Sequence, residues 1–308
     1  MSEKRIAVAV PDEATRRRLG PTLGDVELIV WDVEDPPLDR RIDLLVFRYM
    51  ARPALLRRLE GLDIGVVQGQ SLGFDGVAES LPEGLVYCNA PEVHEASTAE
   101  LALALILASV RRIPEHLAAQ RAGEWRHTPS PGLAGRTVLL IGVGGVGREI
   151  ERRLEPFDVR LTRVGRTARE DERGTVHGAD ELPRLLPDAE IVVLAVPLSE
   201  ETRHLASRSF LERMRPGALL VNVSRGSVVD TEALVDRLAA GAVTAALDVT
   251  DPEPLPAGHP LWQLPGALIT PHTGGHTGAM AGRVDRVIRS QVDRLLRGLP
   301  PENVVAQG

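Results

Sequence analysis

Lysine is all but missing from this 308-residue chain: Lys4 is the only one, and arginine makes up the rest of the 36 basic residues. Schiff-base catalysis and pyridoxal phosphate need an interior lysine, and a Walker-type phosphate loop ends on one, so those chemistries are set aside. Cysteine is as scarce. Cys88 stands alone, which excludes an intrachain disulfide and a thiolate metal cluster; no metal is expected, and a cytoplasmic location fits best. A net charge of −7 argues against nucleic acid or another polyanion as partner. No apolar run approaches the roughly 20 residues that span a bilayer, so no membrane partner is expected. The most apolar segment, AELALALILASV at 99–110, is predicted to be a buried helix started by Ser97 and Glu100 as an S-x-x-E capping box. The opening MSEKRIAVAVPDE lacks the apolar core of a signal peptide and reads as a first strand. Internal repeats and low-complexity tracts are missing too.

What is present is an ordinary globular composition, 43% hydrophobic, at a length that suggests two domains. Short apolar runs at 6–10, 28–31, 44–47, 64–67 and 86–89 alternate with predicted helices at 12–19, 53–59 and 74–81, the pattern of an α/β domain. A proline- and glycine-rich bridge at 127–135 leads to six more runs, at 137–141, 159–164, 191–196, 218–223, 243–249 and 267–270. Six is the strand number of a doubly wound dinucleotide fold. Beyond 270 a glycine-rich turn precedes one long predicted helix, 279–297, with Val284, Val287, Ile288, Val292, Leu295 and Leu296 on one face.

The chain is organised around GRTVLLIGVGGVGREIERRLEPF at 135–157. The apolar run at 137–141 is expected of a parallel strand buried on both faces. Gly142, Gly144 and Gly147 fit G-x-G-x-x-G: the first for the tight turn, the second for close backbone approach to a pyrophosphate, the third for packing of helix on strand. Val146, Ile150 and Leu154 then recur at helical spacing. The glycine pattern alone is equally a plain turn, but a strand before it and an amphipathic helix after it favour dinucleotide binding at the helix's amino end.

Ligands of open α/β sheets bind beyond the carboxyl ends of the strands, and three groups follow three runs there. Arg225 follows LLVNVS, Glu253 follows ALDVTDP and His272 follows ALITP. Singly, each is as readily a solvated loop residue. Together they suit a carboxylate-bearing carbonyl: a guanidinium forks onto the anion, an imidazole shuttles a proton, and a carboxylate holds the imidazole's tautomer and favours its protonated form.

With those residues in place, the chain resembles the D-isomer-specific 2-hydroxyacid dehydrogenases, particularly their glyoxylate and hydroxypyruvate reductase type. The resemblance runs nearly end to end. It is carried by IGVGGVG at 141–147, VPLSEETRHL at 196–205, VNVSRGSVVDTEAL at 221–234, LDVTDPEPLP at 247–256 and ITPHTGG at 269–275. It implies two Rossmann-like domains: a flavodoxin-like substrate domain from 1–94, completed by a C-terminal helix at 275–308, and a dinucleotide-binding domain at 95–274. By the same resemblance Arg225 binds the substrate carboxylate and carbonyl, His272 is the general acid and base, and Glu253 is its partner. The main-chain N–H groups of Leu72 and Gly73, in SLGFD at 71–75, meet the carboxylate between the domains. The cofactor lies against Gly142, Gly144, Gly145, Val146 and Gly147, with Val196 and Pro197 nearby and Asp248 on the nicotinamide carboxamide. A homodimer and a small 2-keto or 2-hydroxy acid are the implied partners. Two departures stand out: Glu92 replaces an expected small residue near the cofactor, and the acid that usually holds the ribose is missing.

That missing acid bears on cofactor choice. A ribose 2′-OH is usually held by Asp or Glu about 20 residues past the glycine motif, and an arginine there suits a 2′-phosphate. Here the place is taken by Gly165, Arg166 and Thr167, which favours NADP(H) over NAD(H). In so arginine-rich a chain Arg163, Arg166 and Arg169 could equally form a solvated edge, and Glu170 and Asp171 lie close enough to reach a ribose. Two other functions stay open on the same fold. One is oxidation of another small anion, where Glu253 argues against formate and leaves phosphite. The second is a dinucleotide-sensing corepressor, which would keep the same catalytic residues.

Overall fold

The computed structural model describes residues 5–20, 23 and 26–308; Lys4 lies outside them. Its backbone divides into two compact units, one formed by the chain up to His94 together with Gly278–Gly308, the other by Glu95–Thr277.

The first unit begins with β1 (Ile6–Val10), α1 (Glu13–Leu19), β2 (Val26–Val30), β3 (Ile42–Val46), β4 (Ile64–Gln68) and β5 (Val86–Cys88). α1 starts at Asp12, whose carboxylate accepts the Thr15 N–H at 2.7 Å, satisfying one of the orphan donors of its first turn. Residues 53–59, expected as a helix, form a 3-10 helix behind Pro53. Residues 74–81, also expected as a helix, are a chain of turns, because Gly76 takes a left-handed φ of 73° that ends any α-helical run.

The second unit opens with α2 (Glu95–Val110) and α3 (Ile113–Arg121), then β6 (Thr137–Ile141), α4 (Gly145–Leu154), β7 (Arg160–Val164), the short hairpin β8 (Arg169–Asp171) and β9 (Gly174–Val176), and α5 (Leu182–Leu185). It continues with β10 (Ile191–Leu194), α6 (Arg208–Arg213), β11 (Ala218–Asn222), α7 (Thr231–Ala239), β12 (Val243–Leu247) and β13 (Ala267–Ile269). α2 starts three residues before Thr98, so Ser97 lies within the helix's first turn and not at its start; its hydroxyl pairs with that of Thr277 at 3.0 Å. The chain then returns to the first unit with α8 (Met280–Leu296) and β14 (Val304–Gln307).

The first sheet is ordered β14-β5-β4-β3-β1-β2, which for its five parallel strands is the flavodoxin-like order 2-1-3-4-5. β14, which has no counterpart among the predicted strands, adds antiparallel to β5. Val284, Ile288 and Val292 of α8 pack against Ile6, Val8, Leu44, Val46 and Val66, one face of that sheet. Leu296, expected on the same face, is 48% exposed at the helix end. The second sheet is ordered β13-β12-β11-β10-β6-β7, all parallel. A single parallel bridge from Val164 to His177 continues it past β7, so the first three passes run 3-2-1 with the third reduced to one residue. The central strands β6, β10 and β11 are buried almost end to end because apolar clusters cover both faces, as the continuous runs TVLLI, IVVL and ALLVN require, whereas the edge strands β7 and β13 are only partly buried. No described helix is long and apolar enough to cross a membrane, and no described cluster of His, Cys, Asp and Glu could hold a metal.

Candidate active site

Because β11, β12 and β13 are adjacent and parallel, the loops leaving their carboxyl ends emerge side by side. β11 delivers Arg225, β12 delivers Asp248 and Glu253, and β13 delivers His272. His272 Nδ1 lies 2.6 Å from Glu253 Oε1, with the two side chains 27% and 37% exposed. A bond this short is of the charge-assisted kind. With Nδ1–H donating to the carboxylate, Nε2 is the nitrogen left to exchange a proton with a substrate. Burial pushes the Glu253 carboxyl up, but the hydrogen bond and charge of His272, a main-chain bond at Thr250 and the charge of Arg225 outweigh it and hold the group below its ordinary value.

The His272 backbone sits at φ 53°, in the left-handed region that costs a residue with a Cβ about 1 kcal/mol. Asp248 is what holds it there. Only 3% exposed, Asp248 accepts its carbonyl bond from His272 N–H at 2.7 Å. Its carboxylate takes the Thr270 hydroxyl at 2.6 Å and the N–H groups of Thr273 and Gly274, each at 2.9 Å. The aspartate thus shapes the turn that presents the imidazole.

Arg225 is stitched by Asn222, fully buried at the end of β11. The Asn222 amide donates to Arg225 O at 2.9 Å and accepts the Ser224 N–H at 3.0 Å. Arg225 Nη1 donates to Ser224 O at 2.8 Å. The arginine loop is also tied to the glutamate loop: Ser227 Oγ donates to Asp251 Oδ2 at 2.6 Å, and Thr231 Oγ1 to Asp251 O at 2.8 Å. A Cβ on Gly226 would come within 1.9 Å of Thr250 O, so only glycine permits that approach. The sequence reading assigned no role to Asn222, Ser227 or Asp251. The one available signal was a polar residue closing the apolar run ALLVN.

A second set of residues surrounds the turn between β6 and α4. Gly142 takes φ 106°, and a Cβ there would strike Ala195 O at 2.3 Å; one on Gly147 would strike Gly142 O at 1.9 Å. These two glycines make the turn and seat the helix. A Cβ on Gly145 would meet Glu95 Cγ at 2.9 Å, whereas one on Gly144 would meet no described atom within 4 Å beyond its chain neighbours. The ten-residue α4 therefore presents its first N–H groups beside an exposed glycine, an arrangement that fits the pyrophosphate of a dinucleotide. Val146 packs onto the core below, and Val196 N–H donates to Ser224 Oγ at 3.0 Å, joining the next loop to the arginine loop. Exposed Pro197 follows, its carbonyl accepting from Thr202 Oγ1 at 2.6 Å. At the end of β7, Arg166 and Thr167 are both exposed, and Arg166 reaches Glu201 only at 4.0 Å. Glu92 is exposed with a left-handed φ of 65°.

In the first unit, the loop after β4 carries Leu72 and Gly73. Its carbonyls are engaged from within: Ser71 O by Ala90 N–H, Leu72 O by Asn89 Nδ2 at 2.8 Å, and Gly73 O by Ser71 Oγ at 3.0 Å. Phe74 beside them is 44% exposed.

A doubly wound sheet with a glycine turn at its switch point, and an arginine, a glutamate and a histidine on adjacent strand ends, defines a nicotinamide-dinucleotide-dependent oxidoreductase. Residues 103–274 match the D-isomer specific 2-hydroxyacid dehydrogenase family over its NAD binding domain. The chain is 33% identical to the human glyoxylate reductase/hydroxypyruvate reductase over 90% of each chain. It is 31% identical to the glyoxylate reductase of Korarchaeum cryptofilum over 97% of this chain and 96% of that one. Among solved structures, the NADPH-dependent glyoxylate/hydroxypyruvate reductase of Sinorhizobium meliloti, in complex with NADP and malonate, superposes with a TM-score of 0.81 at 26% identity, covering 98% of this chain and 97% of that one. The chain belongs to the D-isomer specific 2-hydroxyacid dehydrogenase family.

The 2.6 Å contact makes a prediction about pH. Reduction needs a proton on the imidazole, and the charge that sits 2.6 Å from Nδ1 is the Glu253 carboxylate, whose own pKa lies below its ordinary value. Glu253→Gln removes the charge and keeps the shape, so the alkaline limb of the rate profile for keto-acid reduction moves to lower pH. An unmoved profile would show that Glu253 does not act on His272.

Proposed function

We propose that the protein reduces small 2-keto acids of the glyoxylate and hydroxypyruvate kind to D-2-hydroxy acids, runs the reverse oxidation, and prefers NADPH to NADH. The observation that carries this is the His272–Glu253 contact at 2.6 Å on strand ends adjacent to the one that bears Arg225. A nicotinamide dinucleotide, when bound, supplies or accepts the hydride. The protein's own residues do the rest. The Arg225 guanidinium forks onto the substrate carboxylate and the carbonyl oxygen, with the Leu72 and Gly73 N–H groups as further carboxylate donors. His272 gives a proton from Nε2 to the keto oxygen and takes it back in the oxidation. Glu253 holds Nδ1–H, which sets the tautomer and stabilises the charged ring. Gly142, Gly144, Gly145, Val146 and Gly147 hold the cofactor's pyrophosphate end, with Val196, Pro197 and Asp248 along its nicotinamide half.

Support for NADPH comes from the loop after β7. No acid stands at Gly165, Arg166 or Thr167, and the two acids close by are committed elsewhere. Glu170 accepts the Thr175 hydroxyl at 2.7 Å, and Asp171 is bound by Arg163 and Arg173. The Arg166 pair with Glu201 is exposed on both sides and worth little, which leaves the guanidinium free to turn to a phosphate. The test is kcat/KM with NADPH and with NADH against glyoxylate, hydroxypyruvate, pyruvate and branched keto acids, in the parent and in Arg166→Ala. The parent is expected to favour NADPH, and the variant to lose about tenfold or more with NADPH alone. Equal efficiency in the parent, or a variant unchanged with NADPH, rules the arginine out.

A cytoplasmic homodimer completes the proposal. Ile113 and Leu117 of α3 are 45% and 46% exposed, and Trp125 just beyond is 98% exposed, an apolar surface suited to a second copy. Sedimentation is expected to give twice the 33.3 kDa chain mass; a monomer at micromolar concentration contradicts it.

A further inference from the structure

Arg163 is the most deeply buried arginine among the described residues whose partners are all ionic. It is 5% exposed in the middle of a strand that is otherwise Leu, Thr and Val after its first residue. Its Nη1 donates to Asp171 at 2.9 and 3.2 Å and lies 3.7 Å from Glu151. Arg173 completes the cluster: its side chain binds Glu151 and, at 3.3 Å, Asp171, and its main-chain N–H donates to Asp171 at 2.9 Å. Two arginines and two carboxylates thus join three elements. Glu151 belongs to α4, the helix that opens on the glycine turn; Arg163 belongs to β7; Asp171 and Arg173 belong to the β8–β9 hairpin.

Such a cluster is a poor device for stability alone. Charges taken from water regain little over a well-packed apolar replacement, and here Arg163 Nη2 has no hydrogen-bond partner among the described residues. What a buried ionic network does supply is geometry, since each member fixes the direction of the next. The hairpin it holds is short, three residues a strand, and joins the sheet through one bridge, Val164 to His177, flanked by the bonds Gly165 N to His177 O and His177 N to Arg163 O at 2.9 Å each. Between β7 and β8 lie four residues only: Gly165, Arg166, Thr167 and Ala168. Both ends of that loop are therefore set by members of the cluster, Arg163 before it and Asp171 after it.

We propose that the Glu151–Arg163–Asp171–Arg173 cluster is a positioning device for cofactor discrimination: it fixes the 165–168 loop against α4, so that Arg166 and Thr167 stand where a 2′-phosphate lies when the pyrophosphate is on that helix. The inference rests on the NADPH preference proposed above. None of the four residues touches the cofactor; each acts through the loop.

The experiment measures dissociation constants for NADPH and NADH by fluorescence titration, together with amide hydrogen exchange over 165–168, in the parent, Asp171→Asn, Asp171→Glu and Arg166→Ala. Asp171→Asn is expected to weaken NADPH about tenfold, the worth of one charge-assisted hydrogen bond, while NADH stays within about threefold. Exchange in the loop rises, kcat at saturating NADPH holds, and Asp171→Glu restores most of the ratio. If Arg166→Ala shifts the NADPH-to-NADH ratio and Asp171→Asn does not, the proposal is overturned. If neither variant shifts it, the cofactor reading fails instead, and loop exchange equal to the parent's in Asp171→Asn overturns the positioning role separately. Should Asp171→Asn not fold, Glu151→Gln, which leaves the Arg163–Asp171 pair intact, must change the ratio in the same direction or the proposal falls.

Discussion

Turnover of His272→Asn is expected to fall by about 10² to 10⁴, the usual worth of a placed proton donor, with the affinity for NADPH nearly unchanged. The choice of asparagine matters. At φ 53° most side chains strain the backbone, but asparagine enters the left-handed region more easily than most, so the turn held by Asp248 survives. The amide cannot donate and recover a proton at Nε2's place. The loss therefore reports chemistry and not a displaced loop. Steady-state rates with a keto acid, alongside a fluorescence titration of the cofactor, check both halves, and a variant that turns over normally sinks the assignment of His272 as acid and base.

Arg225→Lys keeps the charge and is nevertheless expected to be severe. An ammonium offers no planar fork, so it cannot bind a carboxylate in two places or hold carboxylate and carbonyl oxygen together. Charged hydrogen bonds are worth about 1.5–3 kcal/mol each, so losing one raises KM for the keto acid by roughly 10- to 150-fold, with a further loss in kcat from the misplaced carbonyl. Because lysine still carries a positive charge close to Glu253, the pH profile stays put, which separates this variant from Glu253→Gln. Near-normal kinetics would mean that Arg225 does not face the substrate.

Much of this was visible in the residues. Gly142, Gly144 and Gly147 between an apolar run and an amphipathic one announce a turn that only glycine can make, and the structure shows why at two of them: a Cβ would lie 2.3 Å from Ala195 O at the first and 1.9 Å from Gly142 O at the third. Glu253 and His272 were paired from their places beyond two strands, and they meet at 2.6 Å. At 74–81 the apolar spacing suits a helix as well as a series of turns, and the left-handed Gly76 decides for the turns. The capping box at Ser97 failed for a similar reason, since a hydroxyl followed by an acid fits a helix interior too, and the helix starts earlier, at Glu95.

The sequence by itself determined what depends on neighbours along the chain: continuous apolar runs that must be buried on both faces, glycines at a turn, and the residue types that follow each strand. Those features are local, and sterics and hydrophobic burial act on them whatever lies elsewhere. Only the tertiary structure decided what depends on partners far apart in the chain. Asp248 reaching Thr273 and Gly274, Ser227 reaching Asp251, Gln291 of α8 donating to Gln68 of β4 at 2.8 Å, and β14 returning to β5 all rest on polar groups that match one another in direction. A hydrogen bond or ion pair has geometry that a sequence pattern does not record, and only the order of the strands and the packing of the helices on them bring its two halves together.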